Sequence, residues 1–178
     1  MLKKSMDELG RLSMEEFKST KKLPITVILE DIRSMHNVGS VFRTSDAFLV
    51  EQLLLCGFTP NPPHRDIHKT ALGATETVAW KAYENTAIAI NTLKSEGYQV
   101  YAIEQVHNSI ELQNFNIAND AKVAIIFGNE ADGVKEETIA MTDGCIEIPQ
   151  AGSKHSFNIS VAAGIVLWEI FKKMNLKS

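Results

Sequence analysis

The chain has 178 residues, 44% hydrophobic and 22% charged, with a net charge of −4. At about 150 residues per domain this is one globular domain, long enough to bury a core without disulfides or metals. The balance excludes a generally basic nucleic-acid coat, two cysteines exclude a disulfide framework or a cysteine zinc cluster, and no apolar run approaches the roughly 18 residues of a membrane span. The opening MLKKSMDELGRLSMEEF scatters charges where a secretory signal would be apolar, so a cytoplasmic protein is expected.

Residues 1–22 read as a short helical extension to the domain that follows. Ser5 with Glu8, and Ser13 with Glu16, fit the reciprocal capping pattern that starts helices. Lys18, Lys21 and Lys22 make its end basic, which suits either a solvated helix end or an RNA phosphate contact. From Pro24 apolar strand-like runs alternate with helical ones. Residues 25–29 (ITVIL) are a buried strand, and Val38, Val41, Phe42, Ser45, Phe48 and Leu49 follow helical spacing. A second strand covers 53–56, and 58–69, with three prolines, reads as a loop. Thr86–Ser95 is a helix closed by Gly97, and Gln99–Ile103 and Val123–Phe127 are strands. A short helix over 135–141, a strand over 146–148 stopped by Pro149, and a long helix over 156–174 capped by Ser156 complete the chain. The alternation predicts an α/β fold with a mostly parallel sheet flanked by helices. Ligands of such sheets sit at the carboxyl ends of the strands, so the loops after Leu29, Phe127 and Ile148 are where chemistry is expected.

The first of these loops leads into a helix bearing Asn37, Gly39 and Arg43. Asn37 can cap that helix, and Gly39 allows another segment to approach closely. Arg43 lies about 140° around the helix from Val38, off the apolar stripe and free to meet a ligand. A surface pair with Asp46 is the plainer alternative. The second loop, Gly128-Asn129-Glu130-Ala131-Asp132-Gly133, permits a tight turn and places the Glu130 carboxylate where a sheet binds ligands; a simple turn would share that composition. The third runs through Pro149, Gln150, Gly152, Lys154 and His155 to Ser156 and Asn158 at a helix start, where unpaired N–H groups collect. A dinucleotide G-x-G-x-x-G, a phosphate-loop G-x-x-x-x-G-K-[ST] and a G-x-S-x-G nucleophile elbow are all missing, which argues against dehydrogenases and α/β hydrolases. The five histidines lack metal-ligand spacing; His64 and His68, four apart, sit in the proline-rich stretch and read as a chance pair.

Three patterns in order, Asn37-x-Gly39-x-x-x-Arg43-Thr44, then Phe127-Gly128-Asn129-Glu130-x-x-Gly133-Val134, then Ile148-Pro149 followed by Ser156-Phe157-Asn158-Ile159-Ser160-x-Ala162, resemble the motifs of the TrmH (SpoU) branch of the SPOUT RNA methyltransferases. The match spans about residues 24–175; Gln150 and Phe157 depart from the family's usual Met and Leu. The resemblance implies a catalytic domain over 23–178 with a deep C-terminal trefoil knot, and a homodimer whose interface builds the active site. It implies S-adenosylmethionine as cofactor and methylation of a ribose 2′-hydroxyl in tRNA or rRNA. By that resemblance Arg43 activates the hydroxyl, Asn37 orients the nucleotide, Glu130 positions Arg43 or its polar neighbours, and Ser156 and Asn158 place the ribose or phosphate. Gly128, Ile148 and Phe157 would hold the adenosine, with Glu104 adding a contact. RNA contacts are expected from Arg33, Arg43, Arg65, Lys69 and Lys154, with His155 a further phosphate candidate. A catalytically inactive nucleotide- or RNA-binding module on the same fold is the alternative.

Overall fold

The computed structural model describes residues 3–5, 7–118, 120–153 and 156–175. Among the described residues, seven strands form one sheet in the order β3-β2-β1-β6-β4-β7-β5. They are β1 (Leu23–Glu30), β2 (Val50–Cys56), β3 (Ala79–Tyr83), β4 (Gln99–Ile103), β5 (Ile110–Glu111), β6 (Val123–Phe127) and β7 (Gly144–Glu147). Every pairing is parallel. The helices are α1 (Met14–Ser19), α2 (Met35–Ala47), α3 (Arg65–Ala71), α4 (Ala74–Thr77), α5 (Thr86–Ser95), α6 (Glu136–Ile139) and α7 (Ile159–Asn175).

Strands buried on both faces read as continuous apolar runs, and β1 and β6 do so because helices cover both sides. The pleat divides their side chains. Ile25, Val27 and Leu29 of β1 enter one core with Val38, Val41 and Phe42 of α2 and Ala163, Val166 and Leu167 of α7. Ile28 points to the other core, with Ile90 and Leu93 of α5 and Ala124 and Ile126 of β6. Phe17 of α1 is buried in the first core, so the N-terminal helix is docked on the domain.

Because all strands run one way, their carboxyl ends share one edge. β2 and β3 extend outward from β1, whereas β4, β7 and β5 extend from β6, so the direction of sheet growth reverses between β1 and β6. Such a reversal opens a crevice for a ligand.

Several local expectations change. The stretch 58–69 is not all loop: its prolines end at Pro63, and His64 caps α3, its Nδ1 accepting from the Asp66 N–H at 3.2 Å. His68 instead meets Thr75 Oγ1 at 3.3 Å, so the two histidines do separate structural work. Ser34, not Asn37, caps α2, and Asn158, not Ser156, caps α7, its Oδ1 accepting from the Ser160 N–H at 2.9 Å. The last long strand ends at Glu147, one residue short of Ile148. Asp46 accepts from Thr77 Oγ1 rather than pairing with Arg43. Gly39 behaves as read: a Cβ there would lie 2.2 Å from Thr70 Oγ1, so only glycine lets α3 pack this close to α2.

Candidate active site

A cavity of about 680 Å³ opens at this carboxyl edge, on the β6 side of the reversal, walled by the ends of β4, β6 and β7 and the start of α7. Ile103, Phe127, Ile148 and Ile159 give it an apolar side; Glu104, Glu130 and Asn158 give it a polar one. That volume and mixed lining suit a nucleoside-sized ligand.

The three motif loops are tied by a chain of side chains. Glu130 Oε2 accepts from the Arg33 N–H at 2.9 Å, and Oε1 accepts from the Ser34 N–H at 3.0 Å and from Asn37 Nδ2 at 3.0 Å. Asn158 Nδ2 donates to Asn37 Oδ1 at 3.2 Å. Asn37 is buried, so its amide is fixed between the second and third loops. A carboxylate on the free N–H groups of a helix start is favourable, and it is what sets α2 against the 128–134 turn.

Asn129 shapes that turn. Its backbone exchanges two hydrogen bonds of 2.9 Å with Gly133, its Oδ1 accepts from the Ala131 N–H at 2.8 Å, and its Nδ2 donates to the Asp31 carbonyl at 2.7 Å. Glu104 Oε2 accepts from the Val134 N–H at 3.0 Å, holding the turn from β4. Behind it, buried Glu30 accepts from the Lys135 N–H and from Thr138 Oγ1, seating α6. Asp31 Oδ2 pairs with Lys135 Nζ at 2.6 Å. The roles of Glu30 and Asp31 escaped the sequence reading. The available signal was two acidic residues closing an otherwise apolar strand; their partner Lys135 is 105 positions from Glu30.

A model of the SpoU rRNA methylase family matches residues 24–168. The chain belongs to the SpoU rRNA methylase family. It is 31% identical over 162 residues to a tRNA (guanosine(18)-2′-O)-methyltransferase of Thermus thermophilus, covering 91% of this chain and 81% of that one. The solved A. aeolicus TrmH/SpoU tRNA modifying enzyme superposes with a TM-score of 0.82 at 24% identity, over 92% of this chain and 82% of that one, and so shares the fold. An AdoMet-bound rRNA methyltransferase from Sinorhizobium meliloti gives 0.78 at 27% identity, over 87% of this chain and 58% of that one.

Of the residues singled out from the sequence of this SpoU chain, Glu104, Gly128, Glu130, Ile148, Ser156, Phe157 and Asn158 line the cavity. Asn37 joins it through Glu130 and Asn158. Arg43 does not line it; its side chain stands on the exposed face of α2 and bonds to nothing among the described residues. Arg33, Arg65 and Lys69 are exposed, and the 3.9 Å contact between Arg33 and Asp132 is a solvated pair of little energetic weight. Lys154 and His155 lie outside the described residues.

Burial alone would raise the Glu130 carboxyl, but the Arg33 and Ser34 N–H groups and the Asn37 amide outweigh it and hold it below the usual carboxylate range. A carboxyl lowered on folding stabilises the protein above its unfolded pKa and loses that contribution as pH falls through its folded one. Glu130→Gln should therefore cost about 1 kcal/mol at pH 7, since the site is partly screened, and nothing once acid has protonated the wild type. Melting temperatures of the two proteins across pH 7 to 3 should converge at the acid end.

Proposed function

We propose that this chain is an S-adenosylmethionine-dependent methyltransferase acting on a ribose 2′-hydroxyl of tRNA or rRNA. The observation that carries the reading is the Glu130–Asn37–Asn158 chain, which draws three family motif loops to the rim of one nucleoside-sized cavity. Residues 23–178 are the catalytic domain and 1–22 its extension, and the C-terminal loops form the family's deep trefoil knot.

The cavity suits the cofactor. Apolar Ile148 and Phe157 would bound the adenine, Gly128 and its neighbours would present main-chain atoms to the nucleoside, and Glu104 fixes the turn that carries them while adding a polar contact. S-adenosylmethionine supplies an electrophilic methyl carbon bonded to a sulfonium. The chain must hold the ribose oxygen against that carbon and favour loss of its proton. Arg43 stays charged, so it acts by stabilising the developing alkoxide and a neighbouring phosphate rather than by taking the proton. Asn37 commits its oxygen to Asn158 and one N–H to Glu130, which makes Glu130 a positioning group for the nucleotide-orienting amide. Ser156, exposed at the cavity mouth, is available to the ribose.

The protein works as a homodimer. Phe157, Val161 and Trp168 are 40%, 49% and 51% exposed along the start and outer face of α7, and Trp168 stacks on Phe171 beside Phe48. A second copy would cover this apolar stripe, and a buried tryptophan at its centre would dominate the contact. Trp168→Glu should shift the protein from dimer to monomer mass in sedimentation, with loss of methyl transfer. Among the described residues no helix is long and apolar enough to cross a membrane, and the cytoplasm, where these RNAs are met, is its place of action.

The test is incubation with methyl-labelled S-adenosylmethionine and total tRNA or rRNA, followed by mapping of the label. Label at a 2′-oxygen is expected. Cofactor binding without transfer to either pool would make the chain a binding module of the same fold.

A further inference from the structure

The turn after β2 lies on the same sheet edge as the cavity, yet the reaction assigns it no part. Its backbone is pinned along its length. The Gly57 N–H donates to the Tyr83 carbonyl at 3.1 Å and the Phe58 N–H to Asp31 Oδ1 at 3.1 Å. Thr59 is buried; its Oγ1 lies 2.9 Å from the Leu29 carbonyl and 2.8 Å from the Cys56 carbonyl, and it accepts from the Ile32 N–H at 3.0 Å. On this fixed turn the Phe58 side chain is held in water, 59% exposed.

The carboxylate that anchors Phe58 also anchors a cation. Asp31 Oδ1 takes the Phe58 N–H while Oδ2 takes Lys135 Nζ at 2.6 Å, and the Lys135 side chain is half exposed. The Asp31 carbonyl takes Asn129 Nδ2, and Asn129 lines the cavity. An aromatic face and an ammonium are thus set at a fixed remove from the cavity wall. A nucleotide turned out of its stack to bring its ribose hydroxyl into the cavity leaves the neighbouring base without a stacking partner. Aromatic side chains satisfy such bases, and lysines their phosphates.

We propose that Phe58 stacks on the RNA base next to the methylated nucleotide while Lys135 meets its phosphate. This inference rests on the RNA-methylating function proposed above.

The experiment measures binding of unfractionated tRNA at several salt concentrations to wild type, Phe58→Ala, Phe58→Leu, Phe58→Trp and Lys135→Gln. Phe58→Ala and Phe58→Leu should bind about tenfold more weakly, and Phe58→Trp should bind like wild type. Lys135→Gln, whose amide can still donate to Asp31, should lower the slope of log affinity against log salt by about one. Melting temperatures should hold for the Phe58 variants, because the ring is exposed. Full binding by Phe58→Leu, an unchanged salt slope, or a change of oligomeric mass in Phe58→Ala would overturn the dock alone. A wild-type protein with no affinity for RNA would overturn it together with the function on which it rests.

Discussion

Arg43→Ala should slow methyl transfer by about a hundred- to a thousandfold while leaving cofactor affinity within about twofold. The rate loss is the scale seen when one preorganised donor to a developing oxyanion is removed. Cofactor affinity should hold because Arg43 does not line the cavity, and the fold should hold because the side chain is exposed and unbonded among the described residues. Arg43→Lys separates charge from geometry: the ammonium keeps the charge but loses the planar fork that can engage oxyanion and phosphate together, so partial activity is expected. Arg43 shares its exposed face of α2 with Ala47, and the helix leads to Phe48, which packs against Trp168 and Phe171. If that face borders the second copy in the proposed dimer, Arg43 would serve the partner's cavity. Calorimetric cofactor affinity, labelled-methyl transfer and melting temperature, measured on the same preparations, decide the matter. Parallel loss of affinity and rate would refute the role.

How much of this was legible in the sequence depends on how local the causes were. β4, β6 and α5 were read with their observed bounds. Val123–Phe127 is a fully buried apolar run, and α5 lies between the Asn85 cap, whose Oδ1 accepts from the Ile88 N–H, and Gly97. β3 was missed because Ala79–Tyr83 is an exposed edge strand whose side chains carry no apolar alternation. α3 was missed because the three prolines before it outweighed seven ordinary helix residues. At the site the motif loops were legible because strand ends in a parallel sheet must converge on one edge. The caps were not: Asn37 and Asn158 each sit at a helix start, but Ser34 supplies one cap, and Asn37 is drawn into the bridge between Glu130 and Asn158. Hydrogen bonds between groups more than ninety positions apart, such as Glu130 to Arg33, leave no local pattern to read.

Gly128→Ala should weaken cofactor binding about thirty- to thousandfold, from the addition of a single carbon. A Cβ at Gly128 would lie 2.2 Å from the Gly133 carbonyl carbon and oxygen and 2.3 Å from the Val134 nitrogen. These are backbone atoms, so no side chain can swing aside to make room. Relief requires the 128–134 turn to open, which breaks the paired Asn129–Gly133 hydrogen bonds and pulls Val134 from Glu104. Breaking two or three such bonds in a partly buried turn costs about 2–4 kcal/mol, a thirty- to thousandfold change in the population of the binding-competent turn. The same addition at Gly152 meets nothing within 4 Å and should leave affinity unchanged. Mixing the two damaged proteins adds a further consequence: if Arg43 serves the partner's cavity, an Arg43→Ala chain paired with a Gly128→Ala chain contains one intact cavity facing one intact arginine. Equal mixtures should then recover about a quarter of wild-type transfer, whereas sites built within single chains would recover none.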